Sequence, residues 1–380
     1  MNRLPLNGLI VLEFSQYLSG PSAGLRLADL GARVIKIERP KGGDPCRQLP
    51  VKNLWVGNDS LNFHAINRNK ESFTADLKNK EDLELVKKLM RKADVVIHNF
   101  RPGVIEKLGL AYKDVKAINE KIIYAEITGF GRRGPWAQRP GQDLLVQSLS
   151  GLAYTTGNGG DAPVPFGLSV VDSICGNHLV QAVLGALVRR QKKGIGAYIE
   201  LSLLESAIGI QFELFTTLFQ KTEGIRRSRV NNGNPLLGAP YGIYKTADYY
   251  LSLAMMDLHQ LAAALDSAAL KTYSREEVFQ KRDEIKSLIA EKLKKCTTAY
   301  WMNRLRQQGL WAAEIYNWKD LTNAGGYKVL QMEQSLGTEH GTVITTRCPI
   351  VLNGKKLVSS KAAPALGAQR EAIIKQLIAD

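Results

Sequence analysis

Gly8-Leu-Ile-Val-Leu-Glu-Phe14 is a short apolar run rich in β-branched residues, and Arg33-Val-Ile-Lys-Ile-Glu38 repeats its character. Between them, Pro21-Ser-Ala-Gly-Leu-Arg-Leu-Ala-Asp-Leu30 spaces its apolar residues as one face of a helix would. Strand, helix, strand reads as a βαβ unit, whose two strands must run parallel. The same rhythm predicts a helix over 80–92, a strand over 93–98, two short helices over 104–117 and a strand over 121–128. A long helix over 174–190, a strand over 197–201 and a helix from 203 to about 218 continue it. Such alternation specifies an α/β fold with a mainly parallel sheet covered on both faces, in which ligands favour the carboxyl ends of the strands.

The pattern changes near Lys221-Thr-Glu-Gly-Ile-Arg-Arg-Ser-Arg229, which reads as a solvated linker, and in the turn-rich stretch 231–240. A hairpin over 241–254 and helices from His259, over 281–295 and over 299–308 then suggest a small α+β domain. The expected organisation is a large domain over 1–200, a helical linker over 201–228, a small domain over 229–325, and a return linker over 326–380 that rejoins the large domain and ends in a helix over 369–379. The basic run 281–295 is expected to be a solvated helix face.

The 380 residues carry 51 Lys and Arg against 36 Asp and Glu, a surplus of +15 that directs attention to anionic ligands. The apolar run 179–188 is broken by Gln181 and Gly185, so no membrane span is expected. The run after Met1 is too short for a signal-peptide core, and a cytoplasmic location is expected. Cys46, Cys175, Cys296 and Cys348 form no C-x-x-C pair and have no histidine at zinc-ligand spacing, so neither a disulfide framework nor a metal site is expected.

Familiar chemical motifs are missing. There is no G-x-x-x-x-G-K-[ST] loop and no well-placed G-x-G-x-x-G. The first strand does lead through Ser19-Gly-Pro-Ser-Ala-Gly24 into a helix. Ser19 there is either a simple N-cap ahead of Pro21 or the edge of a phosphate or acyl site at the helix start. The five histidines are scattered and read as structural or exposed, and Cys175 reads as a packing residue. Basic residues gather with turn residues at Lys36 to Gly43, Asn67-Arg-Asn-Lys70 and Asn99-Phe-Arg-Pro-Gly103. Each adjoins a strand, which suits a ligand with several phosphates; ordinary solvated surface is the alternative. No recognition motif or aromatic stripe supports nucleic-acid binding, which leaves a non-catalytic nucleotide or nucleic-acid binding protein as a reading of another class.

In this order and spacing, Leu12 to Gln16, Gly20 to Gly24, Leu27 to Pro40, Gly43-Asp44, Asn67 to Lys70, Asn99 to Gly103 and Gly131 to Pro135 resemble the class III CoA-transferases, the formyl-CoA transferase or CaiB/BaiF family. The resemblance implies a Rossmann-like large domain, a small domain on long linkers, and a homodimer of two interlocked rings. It implies a catalytic aspartate at Asp172, where an N-cap is the other reading, and an amide donor at Gln16. Lys36, Arg39, Arg68, Lys70 and Arg101 would hold the nucleotide phosphates of CoA, and Gln142 and Gly238 would border the substrate. Acyl-CoA and a small carboxylic acid would be the substrates, with no permanently bound cofactor or metal. An acyl-CoA racemase is the related alternative. Its branch places an acid/base histidine where this chain has Gln142, and glutamine does not exchange protons at a useful rate. Gly233 to Pro240 likewise replaces the glycine run of the oxalate-using branch.

Overall fold

The computed structural model describes residues 4–220 and 224–378. Lys221 to Glu223 of the expected linker and Ala379 of the expected terminal helix lie outside the described residues. By internal packing the chain forms two compact units. The larger comprises Met1–Val146, Ser169–Ala207 and Leu330–Asp380, and the smaller comprises Gln147–Leu168 and Ile208–Val329. The segment 147–168 thus groups with the smaller unit and not with the N-terminal sheet.

The larger unit is built on six strands: β1 (Ile10–Glu13), β2 (Arg33–Glu38), β3 (Glu71–Thr74), β4 (Val95–His98), β5 (Ile123–Thr128) and β6 (Ala197–Ser202). Their order across the sheet is β3-β2-β1-β4-β5-β6, and every pairing is parallel. Val11 lies opposite Val34 on one side and Val95 on the other, so β1 is central. Leu12, Ile35, Phe73, Val96 and Tyr124 are all buried against helices, as the near-continuous apolar runs of a doubly covered sheet require. The edge strand β3 has only Phe73 as a large apolar residue, which is why the sequence pattern passed over it. The order reverses direction between β1 and β4, the kind of switch point beyond whose strand ends ligands favour an open parallel sheet.

Two helices matter most for the site. Helix α1 (Ser19–Asp29) follows β1, and helix α2 (Val170–Lys193) precedes β6. They pack on one another, and α2 also lies against β5 and β6. At 24 residues, with a mean hydropathy of 1.3 in its most apolar window, α2 is by length and composition alone long enough to cross a membrane, which the broken run 179–188 had not suggested. One third of that window is buried inside the protein. From 330 onward the chain returns to the larger unit, where a hairpin pairs Glu333–Thr338 with Gly341–Thr346 and Ile373 of the helix Arg370–Leu377 enters the main core.

The smaller unit has its own core. A three-stranded antiparallel sheet of β7 (Gly242–Lys245), β8 (Tyr250–Leu253) and β9 (Ala312–Glu314) packs Tyr244 and Leu251 together with Leu261, Ile285, Ile289 and Leu305. The basic helix here, Arg282–Leu293, is not solvated throughout as expected. Lys286 is fully buried with its ammonium donating to the Asn231 carbonyl at 3.2 Å, and burial, with Arg282 nearby, pushes its pKa down to about 8.

Candidate active site

The site begins where β1 ends. Phe14 still pairs with β4, its N–H donating to the Ile97 carbonyl at 2.7 Å. The next residues leave the sheet, and their backbone groups are taken up by side chains from other strands. The Lys36 ammonium donates to the Ser15 carbonyl at 2.8 Å. The Asn99 side chain grips the Gln16 peptide on both sides, accepting from its N–H at 2.9 Å and donating to its carbonyl at 2.8 Å. Asp44 accepts from the Tyr17 N–H at 3.1 Å. Asn99 follows β4, so its two bonds stitch together the loops that follow β1 and β4.

Beneath this loop lies a buried ion network. Glu13 sits between Lys36, at 2.9 Å, and Lys70, also at 2.9 Å, and Lys36 reaches Asp44 at 2.8 Å. Lys70 further donates to the Pro21 carbonyl at 2.8 Å and to Asn67 at 2.9 Å. Burial works against the charge on Lys36, but Glu13 and Asp44 outweigh it and raise its pKa. Burial pushes Lys70 down to about 8. Arg68 is buried too, 3.5 Å from Asp29 and donating to the Thr346 carbonyl at 3.1 Å. Lys36, Arg68 and Lys70 were expected to meet the phosphates of CoA. They are instead the internal partners of carboxylates: Glu13 and Asp44 would otherwise be buried charges without counterions, and Arg68 joins Arg26 on Asp29.

The glycines of the 20–24 motif serve this packing and not a phosphate loop. A Cβ on Gly24 would lie 1.7 Å from the Glu13 carboxylate, so only glycine lets α1 close over the network. Ser19 is the first helical residue of α1 and does not cap it; Leu18 occupies the cap position, without a side-chain bond.

Helix α2 brings Asp172 to the same place. It begins at Val170, with Ser169 at the cap, so Asp172 is the third helical residue and not the N-cap. One turn later Gly176 meets α1, where an added Cβ would lie 2.3 Å from Ser22 Oγ and 2.7 Å from the Ser19 carbonyl. That close approach sets the first turns of α1 and α2 side by side. Asp172 is partly buried, and its N–H donates to Asp143 Oδ2 at 2.9 Å. Burial, reinforced by the Asp143 charge, raises its carboxyl pKa to about 7. A carboxylate desolvated in this way is a stronger nucleophile than one in water, and the first turn of a helix offers backbone N–H groups to a developing oxyanion. Asp143, which sequence reasoning passed over, has a signal only in its position beside Gln142.

The remaining expected residues divide. Arg39 and Arg101 are exposed after the carboxyl ends of β2 and β4, with Arg39 donating to the Gly43 carbonyl at 3.3 and 3.2 Å. Gln142 is exposed beside Asp143. Gly238 belongs to the smaller unit, where a Cβ would lie 2.8 Å from the Val278 carbonyl. A cavity of about 750 Å³ in the larger unit is lined by His64, His340 and Lys361 among others, but by neither Asp172 nor Gln16, and it is not the candidate centre. Among the described residues no group of three or more His, Cys, Asp or Glu could hold a metal ion.

The Asp143 contact makes a pH prediction. If ionised Asp172 is the reactive form, kcat/KM rises with pH through about 7. Asp143→Asn keeps an acceptor for the Asp172 N–H and removes the negative charge, so the rise moves to lower pH. A pH profile of kcat/KM unchanged in the variant would contradict this electrostatic coupling.

The model of CoA-transferase family III matches residues 6–370. The chain is 31% identical to succinate–glutarate CoA-transferase of Agrobacterium fabrum, over 98% of this chain and 96% of that protein. It is 30% identical to the human succinyl-CoA:glutarate CoA-transferase, over 100% and 87% of the two chains. The crystal structure of a CaiB/BaiF family protein from Brucella suis superposes with a TM-score of 0.83 at 31% identity, covering 99% of this chain and 100% of that one. With a family match spanning nearly the whole sequence, the chain belongs to CoA-transferase family III and is a CoA-transferase.

Proposed function

We propose that the enzyme moves CoA from a donor acyl-CoA to an acceptor carboxylic acid through covalent intermediates on Asp172. The observation that carries this reading is the Asp172 carboxylate, desolvated in the first turn of α2 beside the start of α1. Its oxygen attacks the thioester carbonyl; the C–S bond breaks, CoA leaves as thiolate, and an acyl–aspartyl anhydride forms. The thiolate then attacks the aspartyl carbonyl and releases the donor acid, leaving an aspartyl-CoA thioester. The acceptor carboxylate attacks that thioester, freeing the thiolate again and forming a second anhydride. Attack of the thiolate on the acceptor acyl carbon gives the new acyl-CoA and restores Asp172.

Within this reading, Arg39 and Arg101 are the cations that remain exposed for the phosphates of CoA, Gln16 supplies an amide donor, and Gln142 and Gly238 border the substrate. The names of the Agrobacterium and human relatives support a dicarboxylic acid of four or five carbons as donor or acceptor. A cytoplasmic homodimer of interlocked subunits completes the proposal. To test it, the enzyme is incubated with succinyl-CoA, trapped with hydroxylamine or borohydride, and digested for peptide mapping. The label is expected on Asp172; a label that persists in Asp172→Ala would sink the assignment.

A further inference from the structure

We propose that the cavity of about 750 Å³ in the larger unit is a second ligand site, apart from Asp172, and that it takes a small uncharged molecule bearing an amide group. The inference does not depend on the chemistry of Asp172. Three stretches supply most of the walls: 42–64, the hairpin tip at 337–340, and the return segment 361–369. All three belong to the larger unit. The hairpin tip is seated on the first stretch, because Gly57 has a φ of +58° and an added Cβ there would lie 2.1 Å from the His340 ring. An enclosed space of roughly 300–1,000 Å³ is the size that small molecules occupy.

The charges on these walls are already paired. Arg47 meets Glu38 at 2.8 Å and Asp59 at 2.6 Å, and Lys70 is held by Glu13 at 2.9 Å. Glu71 faces Arg33 at 2.8 Å and Lys361 at 3.5 Å, and Glu339 lies 3.2 Å from the His340 ring. A charged ligand would have to break one of these pairs or enter without a counterion, and either is costly. What the walls leave open is neutral. His64 is 6% exposed, and among the described residues neither of its ring nitrogens has a hydrogen-bond partner. Burial lowers its pKa, against the opposing pull of Asp59 and the Val56 carbonyl, so near pH 7 the ring keeps one donor and one acceptor. A shielded polar group left unbonded is unfavourable, and the cavity is the side from which a partner can arrive. The return segment adds peptide groups of the same kind: among the described residues nothing bonds the backbone N–H or C=O of Ala362 and Ala363, which lie outside regular structure. Val56, Pro364, Ala365 and Leu366 supply an apolar wall beside them. A carboxamide on an apolar ring matches this set, since it carries an N–H donor and a C=O acceptor and no net charge.

Nicotinamide and nicotinate share one ring and differ in carrying a carboxamide or a carboxylate, so the pair reads the preference for an uncharged amide. Calorimetric titration into the full-length protein is expected to show nicotinamide binding about tenfold or more tighter than nicotinate. His64→Leu keeps an apolar side chain without either nitrogen and is expected to weaken nicotinamide about tenfold. Ala362→Phe narrows the cavity without altering His64 and is expected to weaken it at least as much, with Tm of both variants checked against the wild type. Saturating CoA is expected to leave nicotinamide binding unchanged, and Asp172→Ala to bind it as the wild type does. No binding of nicotinamide, or equal affinity for the two probes, would overturn the ligand class. Unchanged binding in either folded cavity variant, or displacement by CoA, would overturn the site. Because nicotinamide binding is read in Asp172→Ala as well, failure of the covalent mechanism leaves this result standing, and its failure leaves the mechanism untouched.

Discussion

Asp172→Asn is expected to lower CoA transfer by about four orders of magnitude or more, the range found when a covalent nucleophile is removed from an enzyme. The same substitution should make the protein more stable above neutral pH. The two effects have one cause. In the folded enzyme burial and Asp143 raise the Asp172 carboxyl pKa to about 7, above its value in the unfolded chain. The folded state therefore binds that proton more tightly, and the ionised form, the one needed for attack, is paid for in stability as pH rises through the window between the ordinary carboxylate value and about 7. At ~1.4 kcal/mol for each tenfold change in the proton equilibrium, the penalty is on the order of 4 kcal/mol at pH 8. Asparagine carries no charge to desolvate. Denaturant unfolding at pH 3, pH 5 and pH 8 should show no gain of the variant on the wild type from this charge at pH 3, a small one at pH 5 and the full one at pH 8, while a coupled assay for transfer reads the lost activity. An Asn variant that transfers CoA at a tenth of the wild-type rate would remove Asp172 from the mechanism.

What the sequence made legible and what it hid follow from the range of the interactions involved. The βαβ rhythm and the long helix α2 rest on local patterns, and the parallel sheet appears where the periodicity placed it. The burial of the cations stayed hidden for a physical reason. Lys36 and Lys70 stand beside turn residues, as surface phosphate ligands would, but their partner Glu13 is the last residue of an otherwise apolar strand, where alternation alone does not mark a carboxylate as the centre of a buried network. Asp143 was passed over likewise, because its contact with the Asp172 N–H spans 29 residues of sequence. The helix starts were shifted by the same blindness. Ser19 and Asp172 have the chemistry of caps, yet each lies inside its helix, with Leu18 and Ser169 at the cap positions.

Glu13→Gln should be the most destabilising single substitution in the larger unit, costing about 3 to 5 kcal/mol, the range for breaking a buried ion pair by removing one partner. The reason is the count of charges left behind. Glu13 accepts from Lys36 and, through both oxygens, from Lys70, and all three side chains are almost wholly shielded from water. Glutamine keeps the shape and one acceptor but withdraws the negative charge, leaving Asp44 to neutralise Lys36 and no carboxylate bonded to Lys70. Lys70, already pushed down to about 8 by burial, would then be expected to lose its proton near neutral pH. Its free amine would keep two N–H donors for the Asn67 and Pro21 oxygens and lose the third together with its charge. The surface pair Lys87–Glu84, by contrast, is exposed to water, and Glu84→Gln should leave stability almost unchanged. Urea unfolding of the two variants beside the wild type measures both numbers. A Glu13→Gln protein as stable as Glu84→Gln would mean that the two lysines find other counterions, and the network would no longer explain why they are buried beneath the loop that carries Gln16 and Tyr17.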